Sequence, residues 1–338
     1  MSVLITGAGG FIGSALARAI AAAGPEHLVL LDSSEEKLFD LQQQFESVSD
    51  DVSCEFVLGS VNDADLLEDV FTRFQPEIVY HAAAFKHVPL LERHPLPAVR
   101  NNTIGTYTLA QAALRHSTPK VVLISTDKAV NPRSVLGVSK RLAELVVVAF
   151  SNPVCRMSAI RLCNVIGSTG SVVPIFSRQI AEHRPVSVTH PDAARWFITR
   201  DRAVCAILAA GSGGIDGRIL VPELGAPTRI ADLAKSLIGT EDEIPIVFTG
   251  CRPGDKLAEE LAYPYETKEG SIQGLLQVFK TRRLERGDVD EIMARLSACI
   301  AARDVPGLIQ TLRAAVPEYV PSDLIQAHSG SQPFAREI

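Results

Sequence analysis

The chain has 338 residues, of which 46% are hydrophobic, with a mean hydropathy of +0.16 and a formal net charge of -6. This is enough apolar material for one large α/β domain plus a smaller one. The charges are mixed, which argues against a nucleic-acid stripe or a polybasic membrane segment, and no apolar run reaches membrane-spanning length.

Cys54, Cys155, Cys163, Cys205, Cys251 and Cys299 are scattered, with no CxxC pair and no histidine cluster at ligand spacing. That argues against a metal site or a disulfide framework and fits a reducing cytoplasm.

The opening residues, MSVLITGAGG, read as a strand and loop rather than a signal segment. Ser2 to Thr6 is the strand, and Ser14 to Ala23 is Ala-rich and helical. Between them Gly7, Gly10 and Gly13 are spaced as in a dinucleotide-binding turn. Gly7 permits the turn, Gly10 admits a pyrophosphate to the backbone, and Gly13 lets the helix pack on the strand. The helix N-terminus offers free N–H groups and a positive dipole to phosphate, and Phe11 and Ile12 in the turn before it are further cofactor-binding candidates.

A second strand, His27 to Leu31, ends at Asp32, followed by Ser33. A carboxylate there accepts from adenosine ribose hydroxyls and repels a 2′-phosphate, which favours NAD over NADP. Asp32 also fits a helix cap before EEKLFDLQQQF. The third strand, Ser53 to Leu58, leads to Val61 and Asn62, near the adenine by position, and to Asp63, a candidate cap. The fourth, Glu77 to His81, runs into Ala82, Ala83 and Ala84, small enough for a cofactor to lie against the backbone. Lys86 and His87 follow, pointing to the same cleft. Pro95 to His116 reads as one long helix, in which Asn102 ties the active strands together and is a cofactor-binding candidate.

Val121 to Ile124 is the fifth strand. Ser125, Thr126, Asp127 and Lys128 follow at once, Asn131-Pro132 breaks the chain, and Leu136 to Phe150 is helical. Ligands of an open α/β sheet bind beyond the carboxyl ends of its strands. Asp127 and Lys128 are therefore candidates for acid and base work, and an ion pair on a surface turn is the plainer alternative. The βαβ alternation predicts a Rossmann-type, doubly wound parallel sheet. A smaller C-terminal substrate-binding α/β region completes it. The division expected is 1–165 for the dinucleotide-binding domain and 166–330 mainly for the substrate-binding region and C-terminal helices, the two interleaved.

Short-chain dehydrogenases carry Tyr-x-x-x-Lys on the helix after the fifth strand, with both side chains on one face. Here the positions are Leu136 and Lys140. The motifs HAAAFKHVPLLE, NNTIGTYTLAQAA, LISTDKAVNP, SKRLAE, RLCNVIGSTGSVVPIF, VTHPDAARWFIT and CRPGDKLAEEL span most of residues 3 to 265. With them the chain resembles extended short-chain dehydrogenases/reductases, and among those the UDP-N-acetylglucosamine 4,6-dehydratases of the CapD-like polysaccharide-biosynthesis group. Some of that group carry a membrane-spanning N-terminal region. This chain opens on the nucleotide-binding strand and so resembles the short, soluble members.

The resemblance implies an NAD(P)-dependent hydro-lyase that oxidises sugar C4, loses water across C5–C6 and returns the hydride to C6, with inversion at C5 open. It makes Asp127 the acid and Lys128 the C5 base, with burial and Lys140 or Lys86 lowering the Lys128 pKa. Thr126 and Lys140 lie near the hydride path, Lys140 also on the nicotinamide ribose. With Leu136 in place of the phenol, the C4 hydroxyl proton leaves through Thr126, Lys140, Lys128 or water. The resemblance also places Asn164, Ser171, Val172 and Val173 near the substrate diphosphate. Arg195, in a polar cluster with Thr189, is a further phosphate ligand, with stacking on Trp196 as its alternative. Arg252 contacts phosphate and Asp255 the uridine ribose. A UDP-sugar partner and a homo-oligomer follow from the same resemblance. A sugar-nucleotide 4-epimerase, or a non-catalytic NAD- or sugar-nucleotide-binding protein, are the competing readings.

Past residue 265 the motifs end. Val154 to Leu162 is expected as a strand, a helix opens at about residue 174, and Val289 to Ala301 and Val305 to Ala315 read as amphipathic helices. The last residues, GSQPFAREI, are expected to be disordered.

Overall fold

The computed structural model describes residues 1–46, 53–239 and 244–329. The terminal GSQPFAREI segment lies outside the described residues.

Nine strands form the main sheet: β1 (Ser2–Thr6), β2 (His27–Asp32), β3 (Ser53–Leu58), β4 (Ile78–His81), β5 (Lys120–Thr126), β6 (Arg156–Leu162), β7 (Ile219–Pro222), β8 (Thr267–Ile272) and β9 (Leu276–Lys280). Their spatial order is β8-β9-β7-β6-β5-β4-β1-β2-β3. Pairing is parallel from β3 to β7 and antiparallel for β9 against β7 and β8. The chain reverses direction across the sheet between β1 and β4, the switch point where such sheets open a ligand crevice. β1 is buried throughout, as a strand covered by helices on both faces must be.

One face packs against helices Ala64–Phe74, Gly105–Arg115, Val135–Phe150, Arg286–Ala302 and Val305–Ala315, through Phe71, Leu109, Leu142, Met293 and Leu308. The other packs against Phe11–Ala21 and Arg200–Ser212, through Leu16, Ile20, Val204 and Ile207. A smaller core of Phe176, Val186, Val188, Ala193, Ile230 and Ala234 joins helices Val172–Ala181 and Ile230–Ile238 to the parallel pair Val186–Val188 and Ile246–Phe248.

Three elements differ from the sequence reading for local reasons. The first helix begins at Phe11, because Gly10 already caps it in an extended conformation. β6 starts at Arg156, because the Asn152 side chain accepts from the Val154 and Cys155 N–H groups and holds Val154 in a turn. The long helix expected over 95 to 116 is wound wider at Arg100–Ile104, a π-helical turn between Pro95–Val99 and Gly105–Arg115. Such turns recur at functional sites, and this one carries Asn102.

All 16 residues of helix Val135–Phe150 are buried. Leu and Val fill half of the positions, each burial contributing about 1.5–3 kcal/mol. Lys140, Arg141 and Glu144 lie in the same buried helix, so each needs a partner or a reason to be there.

Candidate active site

The glycine turn is built for close approach. Gly7 has φ +69°, and a Cβ on it would lie 2.6 Å from the Ala83 nitrogen. A Cβ on Gly13 would overlap the Gly7 carbonyl oxygen. No side chain caps the helix that starts at Phe11, so the N–H groups of its first turn point outward without a side-chain acceptor.

Asp32 does not cap the next helix. Its Oδ2 accepts from the Gly9 N–H at 2.9 Å and its Oδ1 from the Ser34 N–H at 2.9 Å, tying β2 to the glycine turn. Lone pairs remain on both oxygens. Ser33 beside it is exposed. Val61 is buried, with its side chain against Gly105. Asn62 Oδ1 is a buried acceptor with no hydrogen-bond partner. Asp63 is a cap, accepting from the Leu66 N–H at 3.1 Å.

Asn102 does not reach a cofactor. It is fully buried, donates to Phe85 O and Ser139 Oγ, and accepts from Phe85 N and Asn101 Nδ2. These four bonds exhaust its donors and use both acceptor sites. The side chain instead fixes the loop after β4 to helix Val135–Phe150. His81, at the end of β4, lies between Thr6 Oγ1 (2.7 Å) and Thr106 Oγ1 (2.9 Å), and burial together with nearby Lys140 lowers its pKa to about 3. It is a neutral spacer.

Lys140 is the odd member of this region. Its side chain is buried, its Nζ has no hydrogen-bond partner, and burial lowers its pKa to about 8 against the weaker pull of Glu144. A buried ammonium without acceptors costs several kcal/mol. Ribose hydroxyls, which accept as well as donate, would supply what is missing. Orphaned Lys140 Nζ and the N–H groups of the glycine turn as donors, with Asn62 Oδ1 and Asp32 as acceptors, fit a dinucleotide. Among the described residues no cluster of side chains could hold a metal ion, and no helix is long and apolar enough to cross a membrane.

At the end of β5 the chain makes a single 3-10 turn, Asp127–Ala129. Gly137 permits it, since a Cβ there would overlap the Lys128 carbonyl oxygen. Asp127 is completely buried; its Oδ1 accepts from Lys128 Nζ at 2.9 Å and Thr126 Oγ1 at 3.0 Å, and its Oδ2 is buried without a partner. The Asp-Lys dipeptide is therefore no surface pair. Lys128 Nζ also donates to Asn164 Oδ1 at 3.3 Å and lies 3.5 Å from Glu259 Oε1.

The expected lowering of the Lys128 pKa is reversed. Burial alone would lower it, but Asp127 and Glu259 outweigh burial and raise it. Neither expected cation is among the main causes of the shift; Lys86 is exposed and donates to Thr169 O at 2.8 Å.

Leu136 is buried. The tyrosine nearest the turn, Tyr263, donates its hydroxyl to Ala129 O at 2.8 Å. Ser125 donates to Glu144 at 2.7 Å. Cys163 carries a thiol that burial and Asp127 push up to about 12, so it stays protonated and inert.

The substrate-side residues divide. Asn164 joins the acid–base cluster. Ser171 Oγ is buried and unpartnered at the start of helix Val172–Ala181, which no side chain caps, so Ser171 and the N–H groups of Val172 and Val173 form a second anion-suited terminus. His87 packs on Gly170, closing the loop after β4 onto this terminus. Thr189 directly follows strand Val186–Val188.

Arg195 neither stacks on Trp196 nor stands free. Its guanidinium donates to the carbonyl oxygens of Ala194 (2.8 Å), Leu257 (2.9 Å) and Lys256 (2.7 Å). Arg252 and Asp255, expected as separate ligands, pair with each other at 3.0 Å.

Two residues of the site escaped the sequence reading. Glu259, with a side chain only 3% exposed, lies between Lys128 and Lys256. Lys256 lies 3.4 Å from Glu259 Oε2 and donates to Val130 O at 2.6 Å. The only signal for them was their place in CRPGDKLAEEL.

Beneath the site lies a buried charge network. Glu144 receives Arg141 at 2.9 Å and Arg161 at 2.8 Å, and Arg161 reaches Glu266 at 2.6 Å, all with fully buried side chains. Tyr263 lies over Arg141 at 4.7 Å and stacks on Tyr265 at 4.9 Å.

A glycine turn at the β1 switch point, the orphaned lysine of Tyr-x-x-x-Lys and an acid–base turn ending β5 define an extended short-chain dehydrogenase/reductase. The comparisons agree and narrow the class. The polysaccharide biosynthesis protein family model matches residues 3–278, and the chain belongs to that family, in its CapD-like group. The capsular polysaccharide biosynthesis protein CapD of Staphylococcus aureus is 38% identical over 302 residues, covering 87% of this chain and 50% of that protein; the chain thus spans half the length of that relative. UDP-glucose 4-epimerase of Rickettsia canadensis is 33% identical over 273 residues, covering 77% of each. The X-ray structure of Pen from Bacillus thuringiensis has a TM-score of 0.75 at 26% identity, covering 84% of this chain and 90% of that one.

Proposed function

We propose that the protein is a sugar-nucleotide 4,6-dehydratase that acts on UDP-N-acetylglucosamine or a close UDP-hexose and uses NAD ahead of NADP. The observation that carries this reading is the buried Asp127–Lys128 pair at the end of β5, with one Asp127 oxygen free of any partner. Oxidation at C4 alone needs no second acid–base pair; elimination across C5–C6 needs both members.

Gly7, Gly10, Gly13, Asp32, Asn62 and Lys140 would hold the cofactor. NAD, when bound, supplies a hydride acceptor for sugar C4 and the same hydride for C6, so net redox change is zero. Burial lowers the Lys140 pKa to about 8, so a fraction of it is the neutral amine near neutral pH, and in that form it takes the C4 hydroxyl proton in place of the absent phenol. Lys128 removes the C5 proton, and Asp127 protonates the C6 hydroxyl, which leaves as water.

In the resting cluster Lys128 is an ammonium between two carboxylates. The productive form is its tautomer, with the proton moved from Lys128 Nζ to Asp127, 2.9 Å away. That one transfer makes Asp127 the acid and Lys128 the base together. The anion-suited start of helix Val172–Ala181 suits a diphosphate. A homo-oligomer in the cytoplasm is carried over from the resemblance.

A second reading is a sugar-nucleotide 4-epimerase, favoured by the Rickettsia relative. Incubation with UDP-N-acetylglucosamine and NAD, followed by mass spectrometry, separates the two. A product lighter by one water supports the dehydratase; a changed sugar of unchanged mass supports the epimerase. Cofactor binding without turnover on any nucleotide hexose would support a non-catalytic role.

A further inference from the structure

Glu259 is a buried carboxylate that nothing above gives a role, yet it touches the proposed base. It closes an arm that begins at the Arg252–Asp255 turn. The arm is braced from one side by three consecutive residues: the Ala194 N–H donates to Leu257 O at 2.8 Å, the Arg195 guanidinium to Lys256 O and Leu257 O, and Trp196 Nε1 to Glu259 O at 3.3 Å. From the other side Lys256 Nζ is anchored on Val130 O. The carboxylate is thereby fixed 3.5 Å from Lys128 and 3.4 Å from Lys256.

We propose that Glu259 is a positioning residue for the acid–base pair: its carboxylate holds Lys128 beside Asp127 and joins it to the arm that carries the substrate-side turn. The proposal rests on the dehydratase reading for its purpose, but not for its geometry. A lone Asp127 partner would leave the Lys128 chain free to swing about one contact. With Glu259 and Asn164 as further contacts, Nζ has three acceptor groups converging on it, and an ammonium has three donors to place.

The groups facing this cluster from the packed elements are Asp127, Cys163, Arg195, Lys256 and Glu260. Lys128 and Lys256 together hold the Glu259 carboxyl below its ordinary value, against burial, with Arg195 adding to them.

The test is competitive trace labelling of the Lys128 amine with acetic anhydride across pH, read by peptide mass. In Glu259→Gln the labelling midpoint of Lys128 should fall by about one pH unit or more, since an opposite charge within about 4–6 Å is lost. In Lys256→Met it should rise, because Glu259 keeps Lys128 as its nearest ammonium. A midpoint unchanged in Glu259→Gln overturns the proposal. If that variant fails to fold, an unchanged or lowered midpoint in Lys256→Met overturns it instead. The labelling reads Lys128 rather than turnover, so a wild-type protein that releases no water would refute the dehydratase reading and leave this result standing.

Discussion

Replacing Lys140 with methionine should make the cofactor-free protein more stable while disabling it. The lysine is buried, its Nζ has no hydrogen-bond partner, and its pKa is lowered from 10.5 to about 8. That displacement corresponds to roughly 3 kcal/mol against the charged form in the fold, a sizeable part of a typical 5–15 kcal/mol stability. Below about pH 8 the lysine is protonated in both folded and unfolded chains, so the full penalty is present. As pH rises from 8 toward 10.5 the folded chain sheds the proton first, the unfolded chain holds more protons, and wild-type stability rises.

Guanidinium chloride unfolding of both proteins without cofactor should show Lys140→Met ahead by up to about 3 kcal/mol at pH 7, narrowing to about half that by pH 9.5. Turnover should fall by about 10²-fold or more. A variant no more stable than wild type at pH 7, or a gap that does not move with pH, would refute the reasoning.

Lys128→Ala and Asp127→Asn should each lower the rate of water loss by about 10²–10⁴-fold, with UDP affinity in calorimetry kept within a few-fold. Glu144→Gln leaves Arg141 and Arg161 short of a buried counter-charge, and should destabilise by about 3–5 kcal/mol in denaturant titration. Gly13→Ala drives a methyl into the Gly7 carbonyl; it should cost about 1–3 kcal/mol of stability and weaken NAD binding at least tenfold, measured by fluorescence titration.

The parts of the fold written in the sequence are those set by local chemistry. The β1–glycine–helix unit, the strand ending in Asp127-Lys128 and the long apolar helix after it are each specified within about twenty residues, and each is present. Asp127 and Lys128 are adjacent, so their pairing needed no tertiary information. Their environment did. Glu259 reaches Lys128 only because the 256–259 arm is laid against Ala194–Trp196, and no local pattern announces that crossing. The same crossing explains why a lysine whose pKa was expected to be lowered is instead held charged.

Arg195 and Arg252 illustrate a second limit. A guanidinium in a polar run reads as a phosphate ligand, but its donors go to whatever acceptors the fold brings near, which here are backbone carbonyls for Arg195 and Asp255 for Arg252. Asn102 was legible as a tie between elements, while its exclusion from direct ligand contact depended on four bonds made across the π-helical turn.

The central claim is that the Asp127–Lys128 pair removes water from a UDP-hexose with no net redox change. The most direct measurement incubates the protein with UDP-N-acetylglucosamine in deuterated water with catalytic NAD and weighs the product. The account predicts a product lighter by one water, carrying deuterium at C5, with no NADH accumulating. A product of unchanged carbon-bound mass and altered C4 configuration, or NADH formed in step with product, would contradict it.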